Sequence, residues 1–462
     1  LKALHCLNHN NLLFFIENLC GQRKRQQRLD ARLQYALSLF IQGIESITMK
    51  QCVTRFSGID GCLLVSEKSS NQASMFLRTY GGVAALLAVT SVSADPLSAP
   101  SLSSTLQPND NPFAIDAGPL GKVYVSGQLT GIALWQNHVV DAPDTGNSRS
   151  LADVSNAQVE IQTIEGPLQF YIQAGSYVLP SLGTAYLKSS KTVDRLYGDV
   201  PVGYLKAVIS PEISVMAGSL PTMIGAESTF TFQNINIQRG LLWNQEPAIS
   251  RGVQVNYSGG KTNAALSLND GFYSRKYNWV TGSFSYAFDA ANTLSVIGGA
   301  NVSSNSKSSA ATPTAQNNSQ IYNVIFTHTD GALTLTPYLQ YTRVDKDAKA
   351  GIDRAAQTYG AAFLAKYSFS SHWSIGARAE YLDSNGGGCG ADEDCSPTNL
   401  LYGAGSNAWS LTATPTYQDG RFFVRGELAY VRAEEATSGS TFGDSGTQHD
   451  QVRVLAEAGV LF

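Results

Sequence analysis

Residues 451–462 read Gln451-Val452-Arg453-Val454-Leu455-Ala456-Glu457-Ala458-Gly459-Val460-Leu461-Phe462. In an extended strand successive side chains point to opposite sides, so Val452, Val454, Ala456, Ala458, Val460 and Phe462 share one face and Gln451, Arg453 and Glu457 the other. The first face is wholly apolar and ends in an aromatic; the second carries both signs of charge. Two such faces suit two different solvents, lipid outside and a polar lumen inside, which is the arrangement of a transmembrane β-barrel strand. A slip of one residue would carry Arg453 into lipid, at about 2–4 kcal/mol near the bilayer midplane, so the register is strongly specified.

The same alternation runs upstream. In Ser410-Leu411-Thr412-Ala413-Thr414-Pro415-Thr416-Tyr417 the residues Leu411, Ala413, Pro415 and Tyr417 oppose the hydroxyl-bearing set, and Leu333-Thr334-Leu335-Thr336-Pro337 repeats the pattern. Parity then assigns Arg425 and Glu427, Arg378 and Glu380, and Lys366 to the interior together with Arg453 and Glu457. Aromatics near strand ends (Tyr257, Phe288, Tyr341, Tyr367, Phe369, Trp373, Tyr381, Tyr417, Tyr430) fit the girdles of a membrane interface.

The connections alternate between tight and long. Pairs suited to two-residue turns stand at Glu165-Gly166, Ser210-Pro211, Gly259-Gly260, Asp289-Ala290, Asp330-Gly331, Ser370-Ser371 and Asp419-Gly420. Long connections run over 138–153, 179–198, 219–247, 270–274, 303–317, 344–355, 384–403 and 433–448. Seven short and eight long connections join sixteen strands. The expectation is an all-β fold: one antiparallel transmembrane barrel of about sixteen strands over 121–462, with both chain termini on the periplasmic side.

Composition agrees. Only 15% of the 462 residues are charged against 43% hydrophobic, too little charge for the surface of a soluble sandwich or propeller of this size. No window approaches the length of a membrane-spanning helix. The net charge is -4, and the residues after Ala94 hold 22 basic and 31 acidic side chains, so nothing marks the chain for nucleic acid. The six cysteines and six histidines show no zinc spacing, and no metal or cofactor is expected.

From Met75 the sequence MFLRTYGGVAALLAVTSVSA has a basic residue, an apolar stretch over Val83–Val89 and small residues before Asp95, the pattern of a secretory signal over 75–94 cleaved near Ala94-Asp95. Residues 1–74 precede it and differ in composition, as an over-extended reading frame or a short helical or disordered extension would. Residues 95–120 form a polar periplasmic leader with five prolines, too short to act as a plug domain.

The third long connection holds Glu227, Arg239 and Glu246 beside Phe230, Phe232, Ile235, Ile237, Leu241, Leu242 and Trp243. A loop so apolar is expected to fold back into the barrel and narrow it, with its three charges facing Lys366, Arg378, Arg425 and Arg453 across an opening; an outward cap or subunit contact is the alternative. In the seventh loop Cys389 and Cys395 bracket an acidic trio and, in an oxidising compartment, are expected to form a disulfide.

The C-terminal aromatic strand, together with GSLPTMIGAESTFTFQNINIQRGLLWNQEPAISRGVQVNYSGG over 218–260, resembles the OmpL-like family of outer-membrane β-barrel porins. The resemblance covers roughly Gly121 to Phe462 and implies an outer-membrane pore embedded in lipid and delivered to the barrel assembly machinery through Phe462. The functional expectation is passive diffusion of small hydrophilic solutes without covalent chemistry, with a homotrimer suggested by analogy to general porins. The rivals are a barrel enzyme of protease or phospholipase type, for which His449-Asp450 is the sole sequence-adjacent candidate pair, and a non-conducting adhesin or scaffold.

Overall fold

The computed structural model describes residues 104–109, 111–140, 148–385 and 401–462. The expected signal segment, the stretch before it and the Cys389/Cys395 pair lie outside them. Sixteen strands close into one antiparallel barrel: β2 (Lys122–Gln136), β3 (Ser150–Thr163), β4 (Leu168–Tyr177), β5 (Val202–Val208), β6 (Ile213–Pro221), β7 (Ile249–Gly259), β8 (Thr262–Asn269), β9 (Trp279–Ala287), β10 (Asn292–Asn301), β11 (Ser319–Asp330), β12 (Leu333–Val344), β13 (Ala356–Ser368), β14 (Trp373–Ser384), β15 (Asn407–Asp419), β16 (Phe422–Glu434) and β17 (Asp450–Leu461). Each pairs with its neighbour in sequence, and β17 pairs with β2 from Arg453↔Gln136 to Leu461↔Gln128. Closure leaves no free sheet edge along this seam, which a strand surrounded by lipid requires. The expected tight turns all fall at one end of the barrel and the long loops at the other.

The seam has an extra piece. β17 ends at the level of Gln128, while β2 continues down to Lys122. The exposed edge below is covered by a short strand, β1 (Phe113–Asp116), paired antiparallel to β2 from Phe113↔Val125 to Asp116↔Lys122. Between the two partners, the backbone of Phe462 exchanges hydrogen bonds of 2.8 and 2.9 Å with Gly127. A Cβ on residue 127 would clash with the Gln158 carbonyl oxygen and sit 2.7 Å from the Phe462 ring, so glycine is what fits between the neighbouring strand and the terminal aromatic.

Burial alternates along the strands as the parity argument requires. On β17, Val454, Ala456 and Ala458 are exposed while Gln451, Arg453, Leu455 and Glu457 are buried; on β15, Leu411, Ala413, Pro415 and Tyr417 are exposed and Ser410, Thr412, Thr414 and Thr416 buried. The outward face therefore presents apolar groups to lipid, and the inward face keeps amides, hydroxyls and charges away from it. Outward aromatics gather at both rims. Tyr367 and Phe369 (5.1 Å between ring centroids) and Trp373 and Tyr417 (5.0 Å) mark the tight-turn rim, and Tyr341 and Tyr359 (5.0 Å) and Trp409 and Tyr430 (5.2 Å) the long-loop rim.

The interior is not empty at mid-height. Residues 222–248, between β6 and β7, turn into the barrel, and Phe230, Ile235, Ile237, Leu241 and Leu242 are each at most 2% exposed. They cluster with inward side chains of the wall: Ile235, Leu241 and Leu242 with Trp279, Ile321, Leu364 and Val431, Phe230 with Tyr171, Tyr177 and Val202, and Ile237 with Ile132, Leu134 and Leu455. Burial of this apolar set is what draws the loop inward, because in water each large side chain would forgo about 1.5–3 kcal/mol of transfer free energy.

Candidate functional site

The inward-facing charges expected from parity converge on the third loop. Each is held by the strand that carries it, so its height and direction follow from the register and not from a flexible backbone. Arg378 on β14 reaches Glu227 of the loop at 2.6 Å and Glu380, two residues along its own strand, at 3.1 Å. It also donates to the Gln238 carbonyl at 2.9 Å. Glu227 in turn accepts from the Gly240 backbone at 2.8 Å, and Glu380 accepts from Ser410 Oγ at 2.7 Å and the Leu242 backbone at 3.3 Å. One guanidinium thus ties two separated points of the loop to the wall.

A second clamp lies on the neighbouring strands. Arg425 of β16 pairs with Glu457 of β17 and donates to the carbonyls of Asn234 and Thr231, both at 3.0 Å. Glu457 accepts from Thr231 Oγ1 at 2.7 Å. Glu427 accepts from the backbone amides of Ile237 and Gln238 and from Thr414 Oγ1 at 2.9 Å. Arg453 donates to the Ser181 carbonyl at 2.7 Å and to Gln238 Oε1 at 3.2 Å, joining the second and third loops. Beneath them the wall itself makes room: Gly376 lies directly under the Ile235 carbonyl, which occupies the place a Cβ would need. A side chain there would lift the loop from the wall.

The geometry differs from charges facing each other across an opening. Arg378, Arg425, Arg453 and Glu457 are at most 2% exposed, and Glu227, Glu380 and Glu427 are likewise buried. They meet the loop in direct contact because its backbone, which runs without regular secondary structure over most of its length, carries amides and carbonyls that a low-dielectric interior must satisfy. Buried pairs of this kind add little net stability but enforce one arrangement, since losing a single partner leaves a stranded charge.

Three of the expected residues stand apart. Lys366 of β13 lies nearer the tight-turn end and donates to the Ser104 carbonyl at 2.7 Å. Arg239 is fully buried, its guanidinium 5.4 Å over the Trp243 ring, and among the described residues none of its three side-chain nitrogens has a hydrogen-bond partner. Glu246 accepts from Tyr338 at 3.3 Å through one oxygen while the other has no hydrogen-bond partner among the described residues. Burial, with the like charge of Glu227, pushes this loop carboxyl well above its usual range. Of the histidines, it is His138 and not His449 that meets Asp450, at 3.2 Å on the long-loop rim.

Parity missed the residues that receive these charges. Thr231, Gln238 and Ser104 act through backbone carbonyls or short side chains, and no periodicity marks them. Lys366 pairs with a residue 262 positions earlier in the chain, a separation no local pattern conveys.

A family model described as "Putative beta-barrel porin-2, OmpL-like" matches residues 122–462. No curated protein matches the sequence. Among solved structures, the chain is similar to an anion-selective porin from Comamonas acidovorans at 12% identity, over 74% of this chain and 99% of that one, with a TM-score of 0.51. It is also similar to the outer-membrane-expressed OmpT of Vibrio cholerae at 11% identity, over 76% and 100% of the two chains, with a TM-score of 0.47. At such identities the likeness to the Comamonas porin bears on the fold alone.

Proposed function

Because the chain belongs to the beta-barrel porin-2, OmpL-like family of outer-membrane barrels, we propose that it is a diffusion channel for small hydrophilic solutes whose third loop is the constriction. The observation that carries this reading is the loop itself: residues 222–248 lie inside the barrel at mid-height, clamped to β14–β17 by charged groups and packed through apolar side chains on β4 and on β9–β16. Toward the tight-turn mouth the inner wall is lined by amides and hydroxyls such as Ser214, Asn256, Ser285 and Thr334, groups that can replace the water shed by a polar solute. Diffusion needs no bond to be made or broken, so the protein's contribution is the width and polarity of the path.

Since the loop's charges are paired with the wall, the reading gives a narrow path and small unit conductance. Four arginines and five glutamates lie buried on the loop and the wall it touches (Arg239, Arg378, Arg425 and Arg453; Glu227, Glu246, Glu380, Glu427 and Glu457), and this near balance favours neutral solutes over a strong preference for either ion. A homotrimer seated in outer-membrane lipid and recognition of Phe462 by the assembly machinery belong to the same proposal. The test is swelling of proteoliposomes in uncharged sugars of graded size. Uptake that falls steeply above a monosaccharide supports the reading; no uptake of any sugar, with the barrel folded, would turn attention to the barrel-enzyme and scaffold alternatives, beginning with His138 and Asp450.

A further inference from the structure

The segment before β1 does not hang free of the barrel. From β1 the chain passes Pro112 and Pro108 at the tight-turn mouth, and residues 104–109 lie against the inner wall of β13–β17. Gln107 and Gln418 of β15 exchange two hydrogen bonds, the Gln107 amide donating at 2.8 Å and Gln418 Nε2 donating to the Gln107 carbonyl at 2.9 Å. The hydroxyls of Thr105 and Thr416 are 3.1 Å apart. Leu106, 6% exposed, packs with Phe423 of β16, Leu461 of β17 and Phe232 of the third loop. At its far end Ser104 Oγ donates to the Phe232 carbonyl at 2.8 Å, and the Ser104 carbonyl accepts from Lys366.

We propose that residues 104–109 are a strap that braces the third loop from below and closes part of the periplasmic mouth, and that its release widens the channel. Three features suit it to that task. It touches the loop directly, through Phe232, whose ring lies 6.1 Å from that of Phe230 in the loop's buried cluster. It runs on in sequence to β1, which is paired with β2, so release displaces the segment without detaching it from the barrel. It also has room to move: a polar cavity of 560 Å³ lies between the strap and the turns at 368–374 and 418–421, lined by Thr105, Asn109, His372, Gln418 and Arg421. The strap's grip is a few hydrogen bonds and one apolar side chain, in contrast to the buried ion pairs that hold the loop above it. The proposal rests on the diffusion-channel reading.

The experiment uses the full chain with its six cysteines replaced by serine, reconstituted in planar bilayers. Leu106→Asp places a charge in the apolar nest and should expel the strap, raising mean unit conductance about two-fold or more. Thr105→Cys with Thr416→Cys, oxidised, should pin the strap and return Leu106→Asp to the parent conductance, and reduction should reverse this. A second readout does not depend on current: Phe232→Cys should be labelled by an impermeant thiol reagent from the periplasmic side about ten times faster when Leu106→Asp is present. If a form shortened in the third loop conducts but Leu106→Asp neither raises conductance nor speeds labelling, the strap is overturned and the channel reading stands. If no form conducts, the channel reading falls and the gate with it.

Discussion

Replacing Arg378 by leucine removes the single group that joins Glu227 of the loop, Glu380 of the wall and the Gln238 carbonyl, at 2.6, 3.1 and 2.9 Å. Glu227 keeps the Gly240 amide and Glu380 keeps Ser410 and the Leu242 amide, but two buried carboxylates then lose the guanidinium they share. Breaking a buried pair in this way costs about 3–5 kcal/mol. At about 1.4 kcal/mol per decade, that shifts the balance between seated and lifted loop by roughly two to three and a half decades. The barrel wall, held by strand pairing around its whole circumference, should stay folded while the loop lifts at this clamp and remains attached through Arg425 and Arg453. In planar bilayers Arg378→Leu should therefore show larger or more frequent conducting steps than the parent, with unchanged heat-modifiable migration of the barrel. Changing all three partners to leucine (Glu227→Leu, Arg378→Leu, Glu380→Leu) removes both carboxylates along with the guanidinium, leaves the Gly240 and Leu242 amides without their acceptors, and should bring conductance below that of Arg378→Leu. Equal conductance in the parent and Arg378→Leu, or a triple variant as open as the single one, would refute the clamp.

Glu246→Gln keeps the Tyr338 contact and removes a carboxyl whose protonated form burial favours. A raised folded-state pKa makes stability fall as pH rises above the ordinary carboxylate range, so the heat-induced gel shift of the parent should drop in temperature between acid and neutral pH more than that of Glu246→Gln. Gly376→Val drives a side chain into the Ile235 carbonyl and should raise conductance as Arg378→Leu does, with no change of charge; equal conductance to the parent would show that the loop is not seated on β14 at that point. Leu411→Arg places a cation on the exposed lipid face of β15, and should lower the folding free energy in bilayers by about 2–4 kcal/mol, read from urea midpoints.

Much of this architecture is legible in the chain because a barrel wall obeys a two-residue period throughout. Val452 to Phe462 and Leu411 to Tyr417 declare their faces, and Asp330-Gly331 and Asp419-Gly420 declare their turns. The inward fold of the third loop is also legible, since Phe230, Leu241 and Trp243 cannot be left in water. What periodicity does not carry is partnership. It places Arg425 and Arg378 inside, but an opening with facing charges and a loop in contact with the wall share the same parity, and only packing distinguishes them. The segment around Leu106 reads as a polar linker because its single apolar anchor and its prolines make no pattern, and its role depends on residues more than 300 positions away, such as Gln418.

The claim that a wall-clamped third loop sets passage through this barrel is tested most directly by planar-bilayer conductance of the refolded full chain under a KCl gradient, beside a form in which residues 222–248 are replaced by a short Gly-Ser turn. The account predicts steady ohmic steps from the parent, small in amplitude and with a reversal potential near zero, and steps several-fold larger from the shortened form (about five-fold). Steps of equal size from the two would contradict it, as would a folded barrel that passes no current in either form.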